Sequence, residues 1–394
     1  MNNDKERKKS FMGYQLTYPK STYIGQSALK DSAQKLKSFG EKALVISGKH
    51  VSKTEAFLEL IKVLEENQTE YVVHTGITGE PTLSMIEDAA KCYQNNMCDY
   101  VIGIGGGSVL DSVKAVVVMN KYGADLTQFA GKEISGPFPG MILIPTTAGT
   151  GSEATKFTII TDTQRNVKML LKGDDLIPDM AIIDPDFTKT SPADITAYTG
   201  MDALTHAIEA FTSKKANDYT DLFALSAIKR IFRYLPIAFE QGDHEEARLQ
   251  MSLAAYEAGI CINNASVTLV HGMSRPIGAL FHVPHGLSNA MLIHDCLSFA
   301  IDGCPEKFGR LGKLIGVADD EMDDKKAAVF FIKALEELCR KLKIPTLAEY
   351  GIEREEFESR VEKMSADAIA SGSPGNTIRT MTQEDLIKIY KGLW

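Results

Sequence analysis

The pattern of apolar and polar positions changes once along the chain, near Pro192. Before that point, short and almost continuous runs of valine, isoleucine and leucine alternate with segments whose apolar residues recur at helical spacing. The runs predict strands at 42–47, 70–75 and 99–104, and the spacing predicts helices at 27–39, 51–66 and 81–96. Strands that are apolar on both faces and alternate with helices indicate a parallel sheet covered on both sides. We therefore expect a Rossmann-like α/β domain.

The ends of this first region carry further signals. Residues 14–25 alternate and are interrupted by glycine, which predicts strand structure before the first helix. Gly40 is expected to end the 27–39 helix, and Pro81 to open the 81–96 helix. Short β-rich pieces continue between 156 and 184.

After Pro192 nearly every segment has helical periodicity, and no convincing strand appears. The clearest helices are predicted at 218–234, 244–262, 322–342 and 383–393. A chain of 394 residues also exceeds the size at which one hydrophobic core keeps growing. We therefore predict two domains: a dinucleotide-binding α/β domain at 1–190 and an all-helical, metal-binding catalytic domain at 191–394.

Composition restricts the classes of function. Apolar residues make up 44% and charged residues 24%, which is ordinary for a soluble globular protein, and the net charge of -9 argues against a nucleic-acid or anionic-membrane partner. Four cations stand in the first nine residues with no apolar stretch after them, so we expect a disordered tail and not a signal peptide. The six cysteines form no CxxC pair, which is typical of reduced thiols in a cytoplasmic protein.

Four side chains between residues 200 and 286 form a candidate metal site. In GMDALTHAIEA, Asp202 and His206 are four residues apart, so a helix places the carboxylate and the imidazole on one face. His271 and His285 follow in LVHGMSRPIGALFHVPHG. One oxygen and three nitrogen donors suit a divalent transition metal. A single histidine in an apolar helix is more often a core residue, but the joint pattern favours a metal site.

Two polar loops are candidates for binding a dinucleotide. A strand ending near Gly103 runs into GIGGGSVLDSVK, where glycines permit close approach of a pyrophosphate and the next helix supplies amide donors. The spacing is not the usual GxGxxG, and a simple tight turn is also consistent with it. The second loop, PTTAGTGSE, follows the run MILI; it can donate to phosphate and ribose oxygens or be a serine- and threonine-rich turn.

These motifs together resemble the iron-containing (group III) alcohol dehydrogenase family over nearly the whole chain. The resemblance rests on DALTHAIE, on HGM and PHG with histidines fourteen residues apart, and on GGGSxxDxxK. It implies a dehydroquinate synthase-like fold and a homodimer, with Fe²⁺ (alternatively Zn²⁺) at Asp202, His206, His271 and His285. It also implies NAD or NADP as the second cofactor, held by residues of the two polar loop motifs and by a lysine near the ribose: Gly105, Gly106, Gly107, Ser108, Asp111, Thr146, Thr147, Thr150 and Lys168.

The implied reaction is hydride transfer between NAD(P) and a short-chain primary alcohol or its aldehyde, with the metal as a Lewis acid. A diol dehydrogenase and a reductase for an anionic aldehyde are alternatives. A metal-dependent hydrolase fits less well, because the chain has no HExxH motif and would not need the two polar loops. A non-enzymatic metal-binding scaffold would not bind NAD(P)H. Glycerol dehydrogenases and dehydroquinate synthases use different ligand sets.

The chain departs from the family at a position next to the metal site. Many members carry a histidine four residues after the third ligand, associated with proton transfer, and here Arg275 stands there. A guanidinium is always charged and cannot act as a general base. An interdomain salt bridge or contact with an anionic substrate are the two roles we consider for Arg275. His282 is the alternative proton carrier, or a group that supports the metal ligands.

A second departure concerns the cofactor. Members that prefer NAD tend to have an aspartate at the end of the second strand, where it binds the adenosine 2'-hydroxyl; here Gly48 occupies that place. Without a carboxylate a 2'-phosphate is not repelled, and Lys49 or Lys53 can pair with it. We therefore expect a preference for NADP(H). We also expect the segment 14–24 to pair with its copy in a homodimer.

Overall fold

The protein is described by a computed structural model over residues 13–123, 125–165 and 167–394. The basic tail predicted at the start of the chain lies outside the described residues. The N-terminal part contains a six-stranded sheet with the order β1-β8-β5-β4-β2-β3, in which all neighbours are parallel, and a separate antiparallel hairpin, β6-β7. The strands are β1 (Ser21–Ile24), β2 (Lys42–Ser47), β3 (Glu70–His74), β4 (Tyr100–Gly105), β5 (Gly140–Pro145), β6 (Phe157–Asp162), β7 (Val167–Lys172) and β8 (Met180–Ile183).

The main sheet has an apolar core on each face. Leu44 and Ile46 of β2 pack into one core, while Ala43 and Val45 of the same strand pack into the other. Successive side chains of a strand point to opposite faces, so a strand buried on both sides must be apolar throughout. The covering helices are α1 (Ala28–Asp31), α2 (Ala33–Lys37), α3 (Glu55–Glu66), α4 (Leu83–Asn95) and α5 (Gly107–Tyr122).

Several predicted boundaries in this part are wrong. Pro81 does not open α4, because Thr82 caps it: the Thr82 hydroxyl accepts a hydrogen bond from the amide of Met85 at 3.4 Å. The predicted helix 27–39 is two short helices interrupted at Ser32, whose hydroxyl donates to the carbonyl of Leu29. Of the predicted strand segment 14–25, only Ser21–Ile24 forms a strand.

The C-terminal part is all-helical, and among the described residues no strand follows β8. Its helices are α6 (Ala193–Phe211), α7 (Asp218–Glu240), α8 (Glu245–Asn264), α9 (Leu269–Phe281), α10 (His285–Ala300), α11 (Pro305–Leu314), α12 (Asp324–Lys341), α13 (Arg354–Ala370) and α14 (Gln383–Lys391). Helix α6 packs against α7, α8 and α10 in one large core. The predicted fold class, an α/β domain followed by an all-helical domain, is confirmed.

The topology gathers the polar loops at one edge of the sheet. Strands β2, β4 and β5 are parallel neighbours, so the segments after Ser47, Gly105 and Pro145 all leave from the carboxyl edge. Ligands of open α/β sheets bind at this edge. None of the described helices has both the length and the apolar character needed to cross a membrane.

Candidate active site

Helix α6 is buried around its whole circumference where it carries the first two candidate ligands. Every residue from 200 to 211 is buried, with Asp202 at 2% and His206 at 5% exposure. Gly200 permits this packing, since a Cβ there would lie 2.4 Å from a methyl carbon of Leu235. A helix that is apolar all round belongs in a core, so its ionisable side chains require partners there.

The structure brings the four predicted metal ligands together. Asp202 Oδ1 lies 3.8 Å from His206 Nε2, 3.7 Å from His271 Nε2 and 3.6 Å from His285 Nε2, and all four donor atoms lie within 4.8 Å of one another. Four atoms held tetrahedrally at about 2.1 Å from a metal would be about 3.4 Å apart. The side chain of His285 is 45% exposed while the other three are nearly enclosed. The donor set therefore fits one divalent cation with an accessible side.

The protonation states also suit a metal. Burial lowers the pKa of His206 to about 4 and that of His285 to about 3, so both imidazoles are neutral near pH 7. The His285 side chain keeps accessible surface, and the surrounding protein nevertheless desolvates its ring. Burial alone would raise the pKa of Asp202. The neighbouring imidazoles, among which His206 has the largest effect, hold the pKa of this carboxyl well below its usual range. The carboxylate is therefore charged and ready to bind a cation.

Glu209 is a functional candidate that the sequence reasoning missed. It is fully buried on α6, and its Oε2 lies 2.6 Å from Nδ1 of His271. It also accepts hydrogen bonds from the Thr268 hydroxyl at 2.8 Å and the Val270 amide at 2.6 Å. Burial alone would lower the pKa of His271, but the Glu209 carboxylate raises it. The contact fixes the ring so that Nε2 faces Asp202, a common arrangement for metal-binding histidines.

The two predicted cofactor loops pack directly against each other. A Cβ at Gly107 would lie 2.7 Å from Cγ2 of Thr150, and one at Gly106 would lie 3.6 Å from the side chain of Thr147. The amide of Thr146 donates to the carbonyl of Gly105 at 3.0 Å. Ser108 follows in the first turn of α5, where the amide groups point toward the loop. The glycines of the first loop and the threonines of the second are thus direct neighbours.

Lys114, which is buried, and Asp111, which is half-buried, belong to the GGGSxxDxxK motif and hold the second loop in place. Asp111 accepts hydrogen bonds from the Ser152 hydroxyl at 2.6 Å and from the Ile159 amide at 2.9 Å. Lys114 Nζ donates to the carbonyls of Ser152, Thr155 and Phe157 at 2.7 to 2.8 Å. Both carboxylate oxygens of Asp111 therefore already accept hydrogen bonds from the protein. The role of Asp111 in cofactor binding stays a prediction, and it would be indirect, by positioning the second loop.

Gly48 lies at the end of the second strand, as expected, and Lys168 lies on β7; the roles of both residues toward a cofactor stay predictions. Gly48 directly follows β2, and a Cβ there would meet only the carbonyl of Ile77, at 3.9 Å. Lys168 on β7 forms a half-exposed ion pair with Glu80 at 2.5 Å.

Arg275 lies one turn after His271 on α9 and has no ion-pair partner among the described residues. Its Nη1 donates to the hydroxyl of Ser373 at 2.9 Å. The Arg275 residue is exposed, yet desolvation by the surrounding protein lowers its pKa; the Glu209 carboxylate acts in the opposite direction, and the guanidinium in turn lowers the pKa of His285. The interdomain salt bridge considered for Arg275 is therefore not observed. His282 ends α9 in a left-handed conformation (φ 54°) and is exposed, outside the four-residue cluster.

Comparison with known protein families decides the identity. The family model described as iron-containing alcohol dehydrogenase matches residues 19–185, and the model of the C-terminal part of the Fe-containing alcohol dehydrogenase family matches residues 196–394. The chain belongs to the iron-containing alcohol dehydrogenase family. It is therefore an oxidoreductase of the NAD(P)-dependent alcohol dehydrogenase class, and the cofactors of this family are Fe²⁺ and NAD(P).

Relatives of this alcohol dehydrogenase cover it almost completely. The NAD-dependent methanol dehydrogenase of Bacillus methanolicus is 32% identical over 95% of this chain and 98% of the relative. The NADPH-dependent butanol dehydrogenase of Clostridium saccharobutylicum is 32% identical over 95% and 96%. Among solved structures, a 1,3-propanediol oxidoreductase superposes with a TM-score of 0.94 at 30% identity, over 97% of this chain and 100% of the other. The sulfoacetaldehyde reductase of Bifidobacterium kashiwanohense in complex with NAD⁺ superposes with a TM-score of 0.87 at 25% identity, over 97% and 99%.

Proposed function

We propose that this enzyme interconverts a short-chain primary alcohol and its aldehyde, with Asp202, His206, His271 and His285 holding one divalent cation. The observation that carries the proposal is the cluster itself, whose donor atoms lie within 4.8 Å of one another and whose exposed member is His285. Relatives named for methanol, butanol and 1,3-propanediol support a short substrate.

We propose that the boundary between the two domains lies between residues 190 and 191, and that each domain has its own role in the reaction. When bound, the metal supplies a Lewis acid for the substrate oxygen and the nicotinamide supplies or accepts the hydride. With a divalent cation bound, the Asp202 carboxylate and three imidazoles in their neutral, metal-binding form would leave the cation and its ligands one net positive charge, which favours binding of the substrate oxygen. Gly105 to Ser108 and the start of α5 bind the pyrophosphate, with Thr146, Thr147 and Thr150 beside it. Lys168 is proposed to reach a ribose.

The main experiment measures NAD(P)H oxidation over a panel of aldehydes, with the metal content determined on the same sample. We expect stoichiometric metal and activity in the wild type, and loss of both in His271→Ala. His294→Ala is the matched control, because His294 lies on α10 near Asp295, outside the cluster. Full metal content and activity in His271→Ala would refute the assignment.

A second candidate substrate is an aldehyde that carries an anionic group, and Arg275 supports it. Arg275 lies one turn from His271, is exposed and has no carboxylate partner among the described residues, so its guanidinium can pair with an anionic group of a substrate. The similar sulfoacetaldehyde reductase acts on such an aldehyde, as its name states. A charge-assisted hydrogen bond contributes about 1.5 to 3 kcal/mol, or about ten- to a hundredfold in kcat/KM.

The substrate test compares sulfoacetaldehyde and succinic semialdehyde with butyraldehyde, for the wild type and for Arg275→Ala. The anionic proposal expects the wild type to prefer the anionic aldehydes and the variant to lose that preference selectively. Preference for butyraldehyde in the wild type, with equal loss of all activities in the variant, would make Arg275 structural.

Two departures from the family pattern, Arg275 and Gly48, lead to proposals about proton transfer and cofactor preference. Because Arg275 cannot act as a base, we propose that the exposed His282 or solvent exchanges the proton. Because Gly48 leaves the end of β2 without a carboxylate and Lys49 and Lys53 follow it, we propose a preference for NADP(H). The relatives named above include both NAD- and NADPH-dependent enzymes.

We also propose a homodimer formed along β1. This strand pairs with β8 on one side, and among the described residues no strand pairs with its other edge. Three large apolar side chains in this strand or shortly before it in the chain are exposed: Tyr14, Tyr18 and Ile24. An edge strand with exposed apolar neighbours is a site of association. Light scattering at micromolar concentration should give twice the mass of 43.2 kDa, and a monomer would contradict the proposal.

All six cysteines are unpaired, which supports the proposed cytoplasmic location.

A further inference from the structure

Arg248 carries a buried guanidinium that the proposed reaction does not use. It lies in the first turn of α8 at 3% exposure, and among the described residues no carboxylate forms an ion pair with it. Burial lowers the pKa of Arg248, but a guanidinium stays charged in a protein. A buried cation without a counter-ion is costly, so its hydrogen bonds must compensate. The partners in those hydrogen bonds therefore indicate its role.

The three nitrogens of Arg248 join three segments at the boundary between the two parts of the chain. Nη2 donates to the carbonyl of Ser191 at 3.0 Å, just before α6. Nη1 donates to the hydroxyl of Thr196 at 2.8 Å, in the first turn of α6. Nε donates to the carbonyl of Gly242 at 2.6 Å, between α7 and α8. Arg248 thus fixes Ser191 against the helices of the C-terminal part.

Ser191 in turn contacts the second polar loop. Its hydroxyl donates to the carbonyl of Thr146 at 3.0 Å, and the amide of that threonine donates to the carbonyl of Gly105 in the first loop. A path of hydrogen bonds therefore leads from Arg248 through Ser191 to the loops of the proposed dinucleotide site. The sequence reasoning placed the domain boundary here but did not single out either residue, because they lie 57 positions apart in the chain.

We propose that Ser191 and Arg248 are positioning residues of the dinucleotide site. Ser191 holds the loop of Thr146, Thr147 and Thr150 in the position in which it binds the cofactor, and Arg248 holds Ser191. A loop that is ordered before its ligand arrives loses less conformational entropy on binding, so the affinity is higher. The inference rests on the proposed cofactor role of the three threonines. It gives the segment between the domains a function in cofactor binding in addition to linking them.

The rival explanation is that both residues only stabilise the fold. Ser191→Ala removes the hydroxyl donor, and Ser191→Thr keeps a hydroxyl on the same carbon. Arg248→Met removes all three donors and keeps an unbranched side chain. A positioning role predicts weaker dinucleotide binding by Ser191→Ala and recovery in Ser191→Thr. A purely structural role predicts lower resistance to denaturant with wild-type affinity in the folded protein.

The experiment measures dissociation constants for NADPH and NADH by fluorescence titration of the full-length, metal-loaded enzyme, and unfolding in urea on the same samples. We expect Ser191→Ala to bind both dinucleotides about two- to tenfold more weakly, as for the loss of one neutral hydrogen bond. Arg248→Met should lose about tenfold or more, because its bonds are charge-assisted. The KM for the dinucleotide should rise with little change in kcat. Metal content should stay unchanged, since neither residue belongs to the metal cluster.

The double variant tests whether the two residues act in series. If Arg248 acts through Ser191, the double variant Ser191→Ala/Arg248→Met should bind NADPH no more weakly than Arg248→Met alone. Losses that multiply would show two independent effects and overturn the path. Ser298→Ala and Arg230→Met are the matched controls, because Ser298 donates within α10 and Arg230 pairs with Glu257 at 3.4 Å. Both controls should keep wild-type dissociation constants.

The outcomes for Ser191 decide the proposal even if Arg248→Met fails to fold. Equal weakening in Ser191→Ala and Ser191→Thr would overturn the role of the hydroxyl. Wild-type affinity for both dinucleotides in Ser191→Ala would overturn the positioning role. A wild-type enzyme that binds neither NADPH nor NADH would refute the proposed cofactor site itself, whereas binding that is equal in the wild type and all Ser191 variants refutes only this inference.

Discussion

Glu209 determines which nitrogen of His271 faces the other ligands. Its carboxylate is held by Thr268 and Val270, so it cannot move away, and its Oε2 lies 2.6 Å from His271 Nδ1. An imidazole that donates from Nδ1 to a carboxylate presents the lone pair of Nε2, and the negative charge makes that lone pair a stronger donor to a cation. The negative charge of Glu209 is thus a part of the metal site, although it is not a ligand.

We therefore predict that Glu209→Gln weakens metal binding. The amide keeps the size of the side chain but removes the charge, and changes of this kind typically cost about 10- to 100-fold in metal affinity. Competition with a chelator measures the effect. Glu257→Gln is the control, because Glu257 is a partly buried carboxylate that binds Ser226 and Arg230 away from the cluster. Equal metal affinity in Glu209→Gln and wild type would show that the charge plays no part.

Gly48→Asp should shift the cofactor preference toward NADH. There is room for the side chain, since a Cβ there would meet only the Ile77 carbonyl at 3.9 Å. A carboxylate beside the 2'-phosphate of NADPH is repelled, and like-charge contacts cost several kcal/mol. We expect the ratio of kcat/KM for NADPH to that for NADH to fall by about tenfold or more, with Gly48→Asn as the uncharged control. An unchanged ratio in the aspartate variant would remove Gly48 from the specificity argument.

At the scale of elements, the sequence predicted best where burial imposes a pattern. The strand 42–47 was predicted with its observed bounds, since a strand covered on both faces must be apolar throughout. Helix ends were less accurate, because the Thr82 cap and the interruption at Ser32 depend on local hydrogen bonds that compete with proline and glycine signals.

The site was predictable where one helix face carries it, and less so where contacts join distant segments. Spacing alone paired Asp202 with His206, and the same helical spacing would also have found Glu209. The partners of Asp111 could not be inferred, since Ser152 and Ile159 lie 41 and 48 residues away in the chain. Only the folded sheet brings those segments together.

Helix α8 touches the second cofactor loop at two glycines. A Cβ at Gly259 would lie 2.7 Å from the carbonyl oxygen and 2.8 Å from Cα of Gly151, both backbone atoms that cannot turn aside. Gly151 itself has φ 62°, which glycine adopts most easily. The all-helical part thus sets the position of the loop that contains Thr147 and Thr150.

Gly259→Ala should therefore disturb the loop and not the metal site. Overpacking of this kind costs about 1 to 3 kcal/mol of unfolding free energy. We expect lower stability in denaturant and a higher KM for the dinucleotide, with unchanged metal content. Glu246→Ala, on the exposed side of α8, is the control. A wild-type KM for the cofactor together with wild-type stability would show that the loop tolerates the extra carbon.

At the scale of the whole molecule, the four proposed ligands join three helices of the C-terminal core. Asp202 and His206 belong to α6, His271 to α9 and His285 to α10. Each helix contributes to the same large core. A cation held by all three therefore binds only the folded arrangement, and its binding free energy adds to the stability of that core.

Removal of the metal should accordingly lower the thermal midpoint of the enzyme. A ligand that binds only the native state at about a thousand times its dissociation constant contributes about 4 kcal/mol. Scanning calorimetry of the metal-loaded protein, with and without an excess of chelator, measures the shift, and restoring Fe²⁺ should reverse it. In His271→Ala the midpoint should be the same with and without chelator, since a site that has lost a ligand and its Glu209 contact no longer holds the ion. A midpoint in the wild type that does not respond to chelation, while metal analysis shows that the ion has left, would mean that the four side chains do not couple the metal to the helical core.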